Sequence, residues 1–218
     1  MYQPTAAALD AIHDVTLLGV VGPSGVGKTT IIEAAIAADP SLHMVVGDAS
    51  RAPRPHERDG VDYFFRSRAY MLERIQRREY VQVPPNITGD IYATAPESYA
   101  HHGVSVMAIW AQAIPVFRAL PFRAMRTVCI VPPSFEVWMS RLDARNALDK
   151  RLAEARHSFQ FAVQDDQALY VINDQVADAA QDLLCIAHGQ PLPPALQADQ
   201  ARAKEIAAGI LQRLMFAG

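Results

Sequence analysis

The stretch Gly22-Pro23-Ser24-Gly25-Val26-Gly27-Lys28-Thr29-Thr30 has the spacing G-x-x-x-x-G-K-T, the phosphate-binding loop or Walker A motif. Its glycines let the backbone bend tightly and aim amide groups at polyphosphate oxygens. A helix beginning at Lys28-Thr29 turns the positive end of its dipole toward the same anion. The Lys28 ammonium can reach the β- and γ-phosphates, and the Thr29 hydroxyl suits Mg2+.

A second group of residues follows in Arg51-Ala52-Pro53-Arg54-Pro55-His56-Glu57 and runs on to Asp62-Tyr63-Phe64-Phe65. Two arginines three residues apart, stiffened by prolines, can present a forked cationic site to a second phosphate. Tyr63 can add a hydroxyl. Taken alone, the stretch reads as a solvated charged loop, as most such loops are. Downstream of a phosphate-binding loop it reads as the other half of a two-phosphate device.

The elements around the first motif suit its placement. Val15 to Val21 is an apolar, β-branched run fit for a buried parallel strand. Thr30 to Ala38 is helical in composition and stops at Asp39-Pro40. Further strands are expected at Leu42 to Gly47, Glu79 to Val83, Gly103 to Ala113, Arg126 to Val131 and Ala168 to Ile172. A loop is expected over Asp48 to Tyr63, and a helix after it with Ala69, Leu72 and Ile75 on its apolar face. Ser134 reads as the N-cap of a helix bearing Arg141 and Arg145. Residues 150–164 form another, bearing Arg151 and Arg156. Helices over Val176 to Ala187 and about Gln200 to Met215 close the chain. The last has Ile206, Ile210, Leu211 and Leu214 on one stripe, read as packing surface. Strands alternating with helices imply a parallel sheet with helices on both faces.

The 218 residues suffice for one α/β domain, and 50% hydrophobic with 20% charged residues is the balance of a globular protein. The net charge of −3 and the lack of a basic block argue against nucleic acid or an anionic membrane as partner. No apolar run approaches a membrane span, and the first residues do not resemble a signal peptide, so the expected location is the cytoplasm. Cys129 and Cys185 read as buried small hydrophobes, and the adjacent His101 and His102 as surface residues.

Taken together these motifs resemble the guanylate kinase family. The matching residues are the Gly22–Thr29 loop, then Ser50-Arg51-Ala52-Pro53-Arg54, Glu57, Gly60, Asp62-Tyr63 and Phe65. Pro132-Pro133-Ser134, Arg151-Leu152 and Val171-Ile172-Asn173-Asp174 follow in the family's order. The resemblance implies a P-loop kinase, a three-layer α/β/α fold with a parallel central sheet, a small monophosphate-binding insert and a short helical lid. It implies a lead-in at 1–13, a kinase domain over 14–190 with the insert at about 48–97 and the lid at about 140–157, and a C-terminal helix over 191–218. The implied reaction is ATP-dependent phosphorylation of a nucleoside monophosphate, GMP first (ATP + GMP to ADP + GDP), with Mg2+ as the accompanying ion. The expected partners are these small nucleotides, with the protein a monomer or homodimer.

Carried over residue by residue, ATP falls to Gly22, Ser24, Gly25, Gly27, Lys28, Thr29, Thr30 and Asn173, the last beside the adenine. Arg51, Arg54, Tyr63 and Tyr92 would grip the acceptor phosphate, with Gln82 and Thr94 near its base. Lys28, Arg141 and Arg151, with Arg145 and Arg156 as further lid candidates, would neutralise the transferring phosphoryl group. The chain departs from the family pattern on the acceptor side. Gln82 stands where the family has a glutamate, Gly47 where it has a serine, and Ala108 and Trp110 where it has two acids. Thr29 and Asp48 are the candidate metal ligands, Asp48 because phosphate-loop kinases use a carboxylate near the end of a core strand. The acceptor base is left open, and a nucleotide- or protein-binding module without catalysis is the alternative.

Overall fold

The computed structural model describes residues 2–84, 89–142 and 148–216. In chain order the elements are α1 (Ala6–Asp10), β1 (Thr16–Val21), α2 (Lys28–Ala38), β2 (Leu42–Met44), β3 (Asp48–Ala49), β4 (Phe64–Phe65), α3 (Arg68–Gln76) and β5 (Tyr92–Ala93). Then come β6 (Val104–Ala108), α4 (Ile114–Arg118), β7 (Ala124–Val131), α5 (Phe135–Arg141), α6 (Leu148–Gln164), β8 (Leu169–Ile172), α7 (Val176–Ala187) and α8 (Pro194–Phe216). The parallel central sheet has the order β2-β6-β1-β7-β8, and a small second sheet the order β4-β3-β5. The expected α/β class with a parallel sheet flanked by helices is therefore the observed one.

The central strands are mostly apolar, β1 most completely. Every residue of β1 is buried, as a strand covered on both faces requires. In β7 the last five residues are buried, and they run parallel to β8 from Val128↔Leu169 to Val131↔Ile172.

The chain divides into two compact units. The first comprises Met1–Leu17, His43–Met107 and Pro115–Met125. Its small sheet pairs β3 with β4 in parallel and with β5 antiparallel. Under it lies a cluster of Met71, Tyr80, Ile91, Ala93 and Ala95, with Tyr2, Ile75 and Val83 packed on it. Three sequence expectations fail here. The apolar face of α3 is Met71 and Ile75, one turn apart, while Ala69 and Leu72 are exposed. Short apolar side chains mimicked the right period in the wrong phase. Glu79 to Val83 is not a strand but a single bridge, Gln82↔Thr94. The expected loop after residue 47 begins instead with β3.

The second unit comprises Leu18–Leu42, Ala108–Ile114 and Arg126–Gly218. Within it α2 packs on α7, and α8 packs on α6 and β8. The C-terminal helix begins earlier than its apolar stripe suggested, because Pro194 suits a first helical turn. Its buried line is Leu196, Ala203, Ala207, Ile210 and Leu214, with alanines serving close approach. Cys129 and Cys185 are both buried, and neither forms a disulfide. No helix among the described residues is long and apolar enough to cross a membrane.

Candidate active site

The phosphate-binding loop lies in the second unit, between fully buried β1 and the start of α2. Its carbonyls are held by donors from several elements. Lys28 Nζ donates to Gly22 O at 2.7 Å and to Pro23 O at 3.0 Å. Trp138 Nε1, on α5, donates to Ser24 O at 2.9 Å. Asn173 Nδ2, just past β8, donates to Val26 O at 2.7 Å. In a trans peptide the C=O and N–H point opposite ways, so these bonds turn the amides of Ser24, Gly25 and Gly27 to the other side. That is the arrangement an anion needs.

Gly27 shows why the motif tolerates nothing larger. Its φ is 95°, and a Cβ there would run into Asn173 Nδ2. At Gly25 a Cβ would lie 2.9 Å from Leu142 Cδ2. Trp138 and Leu142, four residues apart, thus brace the loop from one side. Burial pulls the Lys28 ammonium down to about 8, against the opposing pull of the Glu154 carboxylate on α6. Thr29 and Thr30 are exposed on the first turn of α2.

Asn173 is 3% exposed and its Oδ1 has no partner. Arg141 Nη1 donates to Asn173 O at 2.9 Å, which links the end of α5 to the same loop contact. Arg151 and Arg156 lie along α6, both half-buried, and Arg156 Nε is buried without a partner. Arg145 falls outside the described residues.

The second cationic group lies in the first unit. Arg51 makes a forked pair with Glu57, Nη1 to Oε2 at 2.5 Å and Nη2 to Oε1 at 2.7 Å, and its Nε donates to Tyr92 Oη at 3.0 Å. The guanidinium also lies over the rings of Tyr63 and Phe65, at 5.3 and 5.5 Å from the centroids. The hydrogen bonds from Arg51 draw the Glu57 carboxyl down to about 2, and Glu57 in turn raises the Arg51 pKa. Burial raises the Tyr63 phenol. Arg54 is exposed, in a turn closed by Glu57 N donating to Arg54 O at 3.0 Å. Arg51, Tyr63 and Tyr92 therefore converge as expected, and Arg54 stands beside them on the turn. The organiser of the group is Glu57, whose role sequence reading missed. Its spacing from both arginines was the available signal. Trp138 was missed as well, since a tryptophan on an amphipathic helix reads as core.

Gln82 and Thr94 face one another across their bridge, both buried. At Gly47 a Cβ would meet Ala93 O at 2.9 Å, so the residue there must be small. The stretch from Ala108 carries Trp110 with about half its surface exposed (52%).

Magnesium is implied by a polyphosphate substrate. It takes few protein oxygens and many from phosphate and water, so an exposed hydroxyl at Thr29 fits that demand. Asp48 fits less well. Its carboxylate accepts from Tyr80 Oη at 2.6 Å and lies 3.7 Å from Arg66 Nε, while the residue is 4% exposed. It is committed to holding its own unit together, and Thr29 carries the protein's side of the metal fit. Among the described residues no group of three His, Cys, Asp or Glu side chains could hold a metal.

Comparison with known proteins shows the family. The family model "Guanylate kinase" matches residues 15–188. The guanylate kinase of Nitrosospira multiformis is 31% identical over 191 residues, covering 84% of this chain and 89% of that one. The guanylate kinase of Gloeobacter violaceus is 36% identical over 174 residues, covering 76% and 83%. The crystal structure of guanylate kinase from Anaplasma phagocytophilum superposes with a TM-score of 0.58 at 18% identity, covering 87% of each chain, which supports the fold. With its phosphate-binding loop intact and four-fifths of its length matched, the chain belongs to the guanylate kinase family.

Proposed function

We infer that this protein is an ATP-dependent nucleoside monophosphate kinase acting on GMP (ATP + GMP to ADP + GDP), working on small nucleotides in the cytoplasm. The observation that carries the reading is the Arg51 fork, held by Glu57 and Tyr92 against the rings of Tyr63 and Phe65. A protein needing only to hold ATP has no use for a second preorganised cation site.

Phosphoryl transfer asks for alignment and for positive charge around the moving group, with no nucleophilic side chain. In this reading the loop amides of Ser24, Gly25 and Gly27 hold the donor phosphates. Lys28 gives up its bonds to Gly22 O and Pro23 O to follow the γ-phosphate. Asn173 lies beside the adenine. Arg51, Arg54, Tyr63 and Tyr92 fix the acceptor phosphate. Arg141 and Arg151 neutralise the charge that develops on the equatorial oxygens. Thr29 would hold Mg2+, which supplies charge neutralisation at the β- and γ-oxygens when bound.

A coupled assay for ADP release with GMP, dGMP, AMP, CMP and UMP tests the reading. ADP formation that depends on GMP, and that chelation of Mg2+ abolishes, is the expected result. Lys28→Ala should remove turnover while leaving the fold intact. ATP binding without turnover on any acceptor would overturn the kinase reading. It would leave a nucleotide- or protein-binding module, the reading that Ala108 and Trp110 favour.

A further inference from the structure

Among the described residues Trp138 is the bulkiest side chain that is fully buried. Its ring meets those of Phe135 and Phe159 edge-on, with centroids 6.0 and 5.3 Å away. Packing alone would be served by any large apolar ring. The indole adds an N–H, and a buried donor needs an acceptor. The acceptor it has is Ser24 O, 2.9 Å away, in the middle of the phosphate-binding loop.

Pinning that oxygen has a directional consequence. The Ser24 C=O and the Gly25 N–H belong to one planar trans peptide and point opposite ways. With the oxygen turned toward the buried indole, the amide faces the other side, and Gly25 is exposed. A second arm from the same helix reaches the loop further on. Arg141 Nη1 donates to Asn173 O at 2.9 Å, and Asn173 Nδ2 donates to Val26 O at 2.7 Å. Trp138 and Arg141 are three residues apart on α5 and so share a face, which lets one short helix hold two loop carbonyls. The helix is itself fixed at its start, where Ser134 Oγ accepts from Val137 N at 3.2 Å.

We propose that Trp138 is a positioning residue for the donor nucleotide, its indole N–H holding the Ser24–Gly25 peptide with the Gly25 amide toward the polyphosphate. The inference rests on the kinase reading for the loop's role as the ATP site and is indifferent to the acceptor. The indole and the anion stand at the two ends of one peptide group, and each polarises that group for the other. Removing the indole donor therefore weakens nucleotide binding. By reciprocity, a bound polyphosphate tightens the indole bond. A side chain that only filled the core would do neither.

The experiment compares the natural protein with Trp138→Phe, which keeps a ring against Phe135 and Phe159 and lacks the donor. Titration calorimetry should show Kd for ADP and for ATP raised about fivefold, the scale of one hydrogen bond, with KM for GMP within about twofold of the natural value. A second arm uses NMR with the indoles of both tryptophans isotope-labelled, the Trp138 signal being the one that remains in Trp110→Phe. Saturation with inorganic triphosphate, which has no ring to shift a neighbouring proton, should move that indole proton downfield. An unchanged Kd for both nucleotides, an equal rise in KM for GMP, or an indole proton that does not move or moves upfield would overturn the inference. The NMR arm tests it even if Trp138→Phe folds poorly. ADP binding without turnover on any monophosphate would instead overturn the kinase reading and leave this inference standing.

Discussion

At the scale of single residues, Lys28 and His56 make measurable claims. Lys28 has its pKa pulled down to about 8 while bonded to its own loop. A bound polyphosphate restores the charge, so the complex holds more protons than the free protein above that pH. ATP affinity should then be flat below about pH 8 and fall as pH rises, roughly tenfold weaker by about pH 9. Titration calorimetry in buffers of different ionisation heat would show proton uptake over the same range, and a flat profile would contradict the assignment. The same shift acts oppositely on folding. The unfolded chain binds the extra proton between about pH 8 and the ordinary lysine value, so this residue's cost to stability fades as pH rises through that window. His56 has φ 82° behind Pro55, in the turn closed from Glu57 N to Arg54 O. Proline followed by a positive φ is the pattern of a type II turn, where glycine is preferred. His56→Gly should raise stability by about 1 kcal/mol. A urea midpoint that rises at unchanged slope would verify it. The motif arginines were legible in the sequence, but the strained turn that sets them was not.

Among the elements, α8 shows what periodicity leaves unsaid. Its apolar stripe was visible, but a stripe does not name its partner. The helix lies on α6 and β8, and β8 ends the sheet order. Gln200 completes that edge, accepting from Tyr170 N at 2.8 Å and donating to Tyr170 O at 2.9 Å. A glutamine side chain thus plays the part of a missing strand, which keeps the edge from pairing elsewhere. Gln200→Ala should cost about 2 kcal/mol, since it strands two backbone groups of a buried residue. Thermal unfolding would register the loss, and a change within a few tenths of a kcal/mol would refute the role. The α3 error has the same origin. Ala69, Leu72 and Ile75 obey helical spacing, yet Met71 and Ile75 are the pair over the core, because burial is settled by what lies beneath.

For the whole molecule, the Gly22–Thr29 loop and the Arg51–Glu57 group belong to different compact units. Hydrogen exchange should separate them. ATP should protect amides of the second unit, around Gly22 to Ile32, and GMP those of the first, around Arg51 to Phe65 and Ile91 to Ala95. Protection of the wrong unit by either nucleotide would overturn the division of labour. Saturation at about 100 times Kd should add about 2.7 kcal/mol of stability for each ligand taken alone.

The amino-acid sequence alone determined the donor loop, the α/β class and the pairing of Arg51 with Tyr63 as a candidate second phosphate site. Those rest on local chemistry, on spacings that leave the backbone few choices, and on runs such as β1 that are buried at every residue. Tertiary structure decided what long-range contacts decide. It brought Glu57 and Tyr92 onto Arg51, set Trp138 and Asn173 against the loop carbonyls, and bound Asp48 to Tyr80. It also left Gln82 with an unanswered donor in a buried place. A residue's type says what bonds it can make; only the folded chain says which of them are already taken.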